Sequence, residues 1–149
     1  AIKELNIPTF WFWPNVDAGS DGTSKGIRSF RERYTLEHVH FFKNMEGGDF
    51  LRLLCNADCL IGNSSVGIRE CAFLGVPVVN IGSRQSGRQR GPNVLDVDYQ
   101  QTEIIAAVKD QIKHGKHPSA ATYGGGDAGA KIAEELVHMP LTFAKRITY

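Results

Sequence analysis

The sequence predicts an α/β protein with a parallel sheet covered by helices on both faces, and three observations carry that prediction. Short apolar runs recur at residues 7–13, 39–42, 59–62, 76–81 and 93–97. Between them lie stretches whose apolar residues recur at helical spacing, as Phe50, Leu53, Leu54 and Ala57 do at i, i+3, i+4, i+7. The fourth run is apolar almost throughout rather than alternating, which is the pattern of a strand buried on both faces. A chain of 149 residues with 42% hydrophobic and 22% charged residues has the size and composition of one ordinary globular domain.

Residues 1–6 (AIKELN) read as the last turns of a helix with no N-terminal cap of its own. Residues 7–13 are rich in aromatic and β-branched side chains and form a strand stopped by Pro14-Asn15. The polar loop 15–24 then lies at the carboxyl end of a strand, where open α/β sheets hold ligands. A short amphipathic helix over 25–34 carries Ile27 and Phe30, and 39–42 is the second strand. Helix 46–57, strand 59–62, helix 66–74 with Gly75 as its stop, and strand 76–81 follow. After the loop 82–92 (GSRQSGRQRGP) come strand 93–97 and helix 100–113, whose Ile104, Ile105, Val108 and Ile112 share a face. A glycine-rich connection, YGGGD, precedes the last helix at 128–138. The domain is assigned to residues 1–138, with 139–149 as a tail broken from it by Pro140.

The informative stretch is 58–80, DCLIGNSSVGIRECAFLGVPVVN, a strand, a tight turn and a helix. The first amides of a helix lack internal partners and carry partial positive charge, so an anion is favoured beside Asn63 to Val66. Ser64 and Ser65 add hydroxyl donors. With Ser64 as N-cap, Glu70 falls in the second turn on the face of Val66 and Gly67, where a low glycine would let its carboxylate reach a sugar hydroxyl. The same residues also read as a plain cap with Glu70 in solvent. Likewise the arginines of the 82–92 loop are either a solvated turn or guanidinium forks for phosphate.

Several classes are disfavoured. Lys and Arg number 17 against 16 acids, for a net charge of +1, and no basic block is present, so nucleic acid is not an expected partner. No apolar run reaches the roughly 18 residues that span a bilayer, and a cytoplasmic protein is expected. Cys55, Cys59 and Cys71 read as reduced, buried thiols. Cys55/Cys59 and His38/His40 lack further ligands at metal spacing, so no metal and no cofactor is expected.

The residues IGNSSVGIRECAFLGVPVVNIGSRQSGR resemble the nucleotide-binding segment of the UDP-N-acetylglucosamine 2-epimerase family, and the loop Asn-Ile-Gly-Ser-Arg-Gln-Ser-Gly-Arg resembles its hydrolysing branch. PNVDAGS and YGGGDAGAKIAEEL fall where that family has its corresponding turns, so the resemblance covers nearly the whole chain. It implies the second, Rossmann-like domain of the glycosyltransferase-B architecture, lacking its opening strand, with the N-terminal half and its catalytic carboxylates elsewhere. It also implies action on a UDP-sugar: a proton leaves C2, UDP is eliminated, and water adds to give N-acetylmannosamine. A sheet without its opening strand leaves bare edges to be covered by the rest of the enzyme or by self-association, and a homo-oligomer is expected. On this pattern Ser64, Ser65 and Arg84 bind the diphosphate and Glu70 the ribose. Asn15, Phe42 and Lys43 lie near the cleft and uracil, and Asn63, Gly67, Arg88 and Asp127 are secondary candidates. None of these is a catalytic residue, and no metal is implied. Two other readings share the fold or the ligand: half of a glycosyltransferase, and a nucleotide-sugar binding module without a reaction.

Overall fold

The computed structural model describes residues 1–15 and 20–140. Its strands are β1 (Thr9–Phe12), β2 (Val39–Phe42), β3 (Leu60–Gly62), β4 (Val78–Ile81) and β5 (Val94–Val97). Its helices are α1 (Ile2–Leu5), α2 (Ser20–Arg33), α3 (Gly47–Asn56), α4 (Ser65–Ile68), α5 (Glu70–Leu74), α6 (Gln101–His114) and α7 (Ala128–His138). The strands form two parallel sheets, β1-β2 and β3-β4-β5, with Leu60 and Val94 both opposite Val78.

The larger sheet is covered on both sides, as the uninterrupted apolar strands predict. On one face Val78, Leu60 and Val94 pack with Leu54 and Phe50 of α3 and Cys71 and Leu74 of α5. On the other, Val79, Ile61, Ile81 and Val97 pack with Ile104, Ala107 and Val108 of α6 and with Leu5 of α1. Successive strand residues alternate between these two clusters, as a period of two requires. The smaller sheet is aromatic. Trp11 and Phe41 stack at 5.6 Å on the side of Phe30, and Phe12 meets Phe42 at 5.5 Å and Phe50 edge-on at 5.3 Å.

Two glycines sit where the backbone demands them. Gly62 ends β3 at φ 147 and Gly75 closes α5 at φ 66, in regions that side chains with a Cβ rarely enter. A Cβ on Gly75 would also strike the carbonyl of His117, whose N–H donates to Gly75 O at 2.9 Å. Polar ties join the layers as well. Gln111 on α6 donates to the carbonyls of Val78 (2.9 Å) and Asn93 (3.0 Å), and Asn93 donates to Val76 O at 2.9 Å.

The structure departs from the sequence reading in three places. Helix α2 begins at Ser20, five residues before the expected start, and runs through Gly22 and Gly26, with Asp21 placed favourably in its first turn. The rest of the loop expected before it, 16–19, lies outside the described residues, as does 141–149 of the tail. The single helix expected at 66–74 is two short ones, broken at Arg69 (φ −100, ψ −72). Cys55 is exposed rather than buried, because it falls on the outer face of α3. Among the described residues no helix is long and apolar enough to cross a membrane.

Candidate functional site

The carboxyl ends of β3 and β4 bring two loops together. Strand β3 delivers Asn63 and Ser64, and β4 delivers Ser83, Arg84 and Gln85. The Asn63 carbonyl is the meeting point: Gln85 Nε2 donates to it at 2.8 Å and Arg84 Nη1 at 3.4 Å. Ser64 stands as the N-cap of α4 with extended backbone (φ −73, ψ 144), and its Oγ accepts from Val66 N at 3.4 Å. Ser65 opens the helix beside it. Of the expected diphosphate residues, Ser64, Ser65 and Arg84, with Asn63, therefore converge on one rim.

Breaking the helix at Arg69 changes how that rim can work. A four-residue α4 sums few peptide dipoles, so attraction for an anion would come from individual N–H and hydroxyl groups and the Arg84 charge, not from a long macrodipole. The break also moves Glu70 from a second turn to the first residue of α5. There its Oε2 is buried without a hydrogen-bond partner among the described residues, while Oε1 lies 3.9 Å from Arg69 Nη2. A buried carboxylate oxygen left without a donor is an acceptor in waiting, since burying one unpaired is costly.

Gly67 does not lower the Glu70 face as expected. It is buried against the sheet, and a Cβ there would lie 2.9 Å from Val78 Cγ1 and 3.4 Å from Leu60 Cδ2, so this glycine lets α4 approach β3 and β4. The remaining candidates stand on other elements. Asn15 and Lys43 are exposed just beyond the carboxyl ends of β1 and β2, and Phe42 is engaged with Phe10 and Phe12. Asp127 precedes α7 and pairs with Lys131 at 2.7 Å.

The three arginines of the second loop are not equivalent. Arg90 is committed to Asp96, with Nε to Oδ2 at 2.5 Å, and also donates to the Arg88 carbonyl. Burial works against charging Asp96, but its bonds from Arg90 and Asn80 together outweigh that and hold its carboxyl below the usual range. Arg90 thus anchors the loop instead of offering a free fork, and the Arg88 side chain is exposed.

Gln85 is the residue that the sequence reading passed over. It is 3% exposed, it ties the second loop to the first, and its Oε1 is buried without a partner among the described residues. Its only signal in the sequence is its place between two arginines in the loop motif.

A cavity of about 790 Å³ lies apart from the Asn63 carbonyl, between β5 and α6, with Gly82 and Ser83 at its edge. Asp96, Asp98, Glu103 and Asp110 line it, and so much negative charge would repel a diphosphate. Among the described residues no group of three His, Cys, Asp or Glu side chains is placed to hold a metal ion.

Residues 1–137 match the family described as UDP-N-acetylglucosamine 2-epimerase. The chain is 31% identical over 143 residues to the UDP-N,N'-diacetylbacillosamine 2-epimerase (hydrolyzing) of Legionella pneumophila, covering 95% of this chain and 37% of that protein. It is also 31% identical over 133 residues to the UDP-N-acetylglucosamine 2-epimerase of Neisseria meningitidis, covering 88% of this chain and 34% of that protein. With the GDP/UDP-N,N'-diacetylbacillosamine 2-epimerase (hydrolyzing) of Campylobacter jejuni it shares 37% identity over 82 residues, 53% of this chain and 21% of the other. The chain thus spans a little over a third of the length of the first two relatives. A match running through both sheets and the loops between them means that this chain belongs to the UDP-N-acetylglucosamine 2-epimerase family.

Proposed function

We propose that this chain is the UDP-binding part of a hydrolysing UDP-N-acetylglucosamine 2-epimerase, converting UDP-N-acetylglucosamine to N-acetylmannosamine and UDP in amino-sugar synthesis. The observation that carries the reading is the rim at Asn63, where Ser64, Ser65 and Arg84 gather, together with a Glu70 oxygen at the start of the next helix that is buried without a hydrogen-bond partner among the described residues. Two relatives whose names include the hydrolysing reaction support the branch. Ser64, Ser65 and Arg84 would hold the diphosphate, and Glu70 would accept from the ribose hydroxyls. Charge develops on the departing UDP oxygen in the transition state, so donors fixed around it lower the barrier without touching C2. The carboxylates that move the C2 proton belong to the other half of the enzyme, which acts in the cytoplasm as a homo-oligomer.

Glu70→Gln tests the ribose assignment. It keeps the shape of the side chain but replaces an acceptor with a donor, so UDP affinity should fall about tenfold, or ~1.4 kcal/mol. Affinity for 2′,3′-dideoxy-UDP should hardly change, since that ligand has no ribose hydroxyl to donate. Equal weakening of both ligands in calorimetry would refute the role.

A further inference from the structure

The chain between α6 and α7 runs back over α5 before it reaches the last helix. His117 N donates to Gly75 O at 2.9 Å, Ala120 N to Ala72 O at 2.9 Å, and Ser119 Oγ to Phe73 O at 2.6 Å. Ala72 and Phe73 lie in the last turn of α5, whose carbonyls find no donors within the helix, so residues 115–120 act as its cap. The root of this strap is also fixed from the core. Gln111 spends its amide N–H groups on the carbonyls of Val78 and Asn93, which leaves its Oε1 to accept, and His117 Nε2 donates to it at 3.0 Å.

The far end of the strap meets the second loop of the candidate site. A turn closed by Gly124 N on Ala121 O (2.9 Å) presents Tyr123, the residue that opens YGGGD, and its hydroxyl donates to Gln89 O at 2.8 Å. A Cβ on Gly91 would lie 3.0 Å from Ala72 Cβ and 3.6 Å from Ala120 Cβ, so loop, α5 and strap come together there. Most of loop 82–92 is exposed, and polar ties set its backbone where packing does not. Arg88 N donates to Gln85 O at 3.3 Å, Arg88 O accepts from Arg90, and Gln89 O accepts from Tyr123. The loop is gripped on two sides, by Asn63 through Gln85 and by the strap through Gln89.

We propose that Tyr123 is a positioning residue for the candidate diphosphate site: its hydroxyl, carried on a strap anchored to α5 and α6, holds the backbone at Gln89 and with it the loop that bears Arg84. The ring is 44% exposed and adds little to core packing, so the hydroxyl is what the position uses. Tyrosine suits the task because it brings a hydroxyl on a rigid ring with few side-chain torsions to order. For the ligand, though not for the strap, the inference rests on the reading given under Proposed function.

The test is Tyr123→Phe, which removes the hydroxyl and keeps the ring. In amide hydrogen exchange the Arg88 amide of the variant should exchange about tenfold faster than in the unaltered chain, with the core amide of Val79 unchanged. By calorimetry its UDP affinity should fall about fivefold, while UMP, which lacks the second phosphate, should bind as before. An unchanged Arg88 amide would overturn the proposal, as would a ratio of UDP to UMP affinity that survives faster exchange at Arg88. Faster exchange at Val79 with that ratio intact would mean a role in stability alone and would overturn it too. Failure of the nucleotide reading shows differently: the unaltered chain would bind UDP no more tightly than UMP, while faster exchange at Arg88 in the variant would still support the strap as what holds the loop.

Discussion

In β4, Val78, Val79 and Asn80 are all buried, whereas in β1 no residue is buried and Phe10 is half exposed. The difference is one of neighbours. Strand β4 has a strand on each side and a helix layer on each face, while β1 among the described residues has a partner on one side only. The candidate nucleotide rim grows from β3 and β4, so the loops proposed to hold a diphosphate stand on the sheet that is covered on both faces. The aromatic half supplies Asn15, Phe42 and Lys43, which a ligand would meet from the less constrained side. Precise placement is thus concentrated where packing enforces it.

The largest effect should separate the two halves directly. Ile68 on α4 is fully buried, and Ile68→Ala should cost about 2–5 kcal/mol in urea unfolding, the range for emptying a packed aliphatic site. Phe10→Ala removes a larger side chain from a half-exposed position and should cost only about 1 kcal/mol. Similar costs for both would mean that the two sheets are equally consolidated.

Gln85→Ala should act mainly on the site. It removes the 2.8 Å bond to Asn63 O and loosens the second loop, so UDP affinity should fall about tenfold while stability changes by about 1 kcal/mol. A large loss of stability with UDP binding intact would make Gln85 a core residue with no part in positioning the rim.

Much of this was legible in the sequence. Strand β2 and helix α7 have the bounds read from it, and Ser64 is the cap that Asn-Ser-Ser implies, because these features depend on neighbours in the chain. The break at Arg69 and the inward turn of Gly67 were not legible. Both follow from how closely α4 approaches Val78 and Leu60, which no local pattern encodes. For the same reason Gln85, Asn93 and Gln111 read as ordinary polar residues although each is buried, since their partners lie 17 to 33 residues away in the chain. The acid-lined cavity was also missed, as it draws on Asp96, Asp98, Glu103 and Asp110 from a strand end and one face of α6.

The smallest effect is one of reactivity. Burial pushes the thiols of Cys59 and Cys71 up to about 12, so both stay protonated and slow to alkylate at neutral pH, and their thiolate fractions rise only as pH climbs toward that value. Exposed Cys55 should react first with iodoacetamide, read by mass spectrometry. Cys59, which borders the groove between the sheets, should follow before Cys71, which lies in the closed core. The reverse order would show the core opening more readily than the groove.

The rim at Asn63, Ser64, Ser65 and Arg84 is proposed to hold a diphosphate. Calorimetric titration of the chain with UDP and with UMP tests it most directly, because the two ligands share uracil, ribose and one phosphate. UDP should bind at least tenfold more tightly, with the advantage shrinking as salt is raised, since the second phosphate adds charge-assisted bonds. Equal affinity for UDP and UMP would mean that the rim makes no contact with the second phosphate.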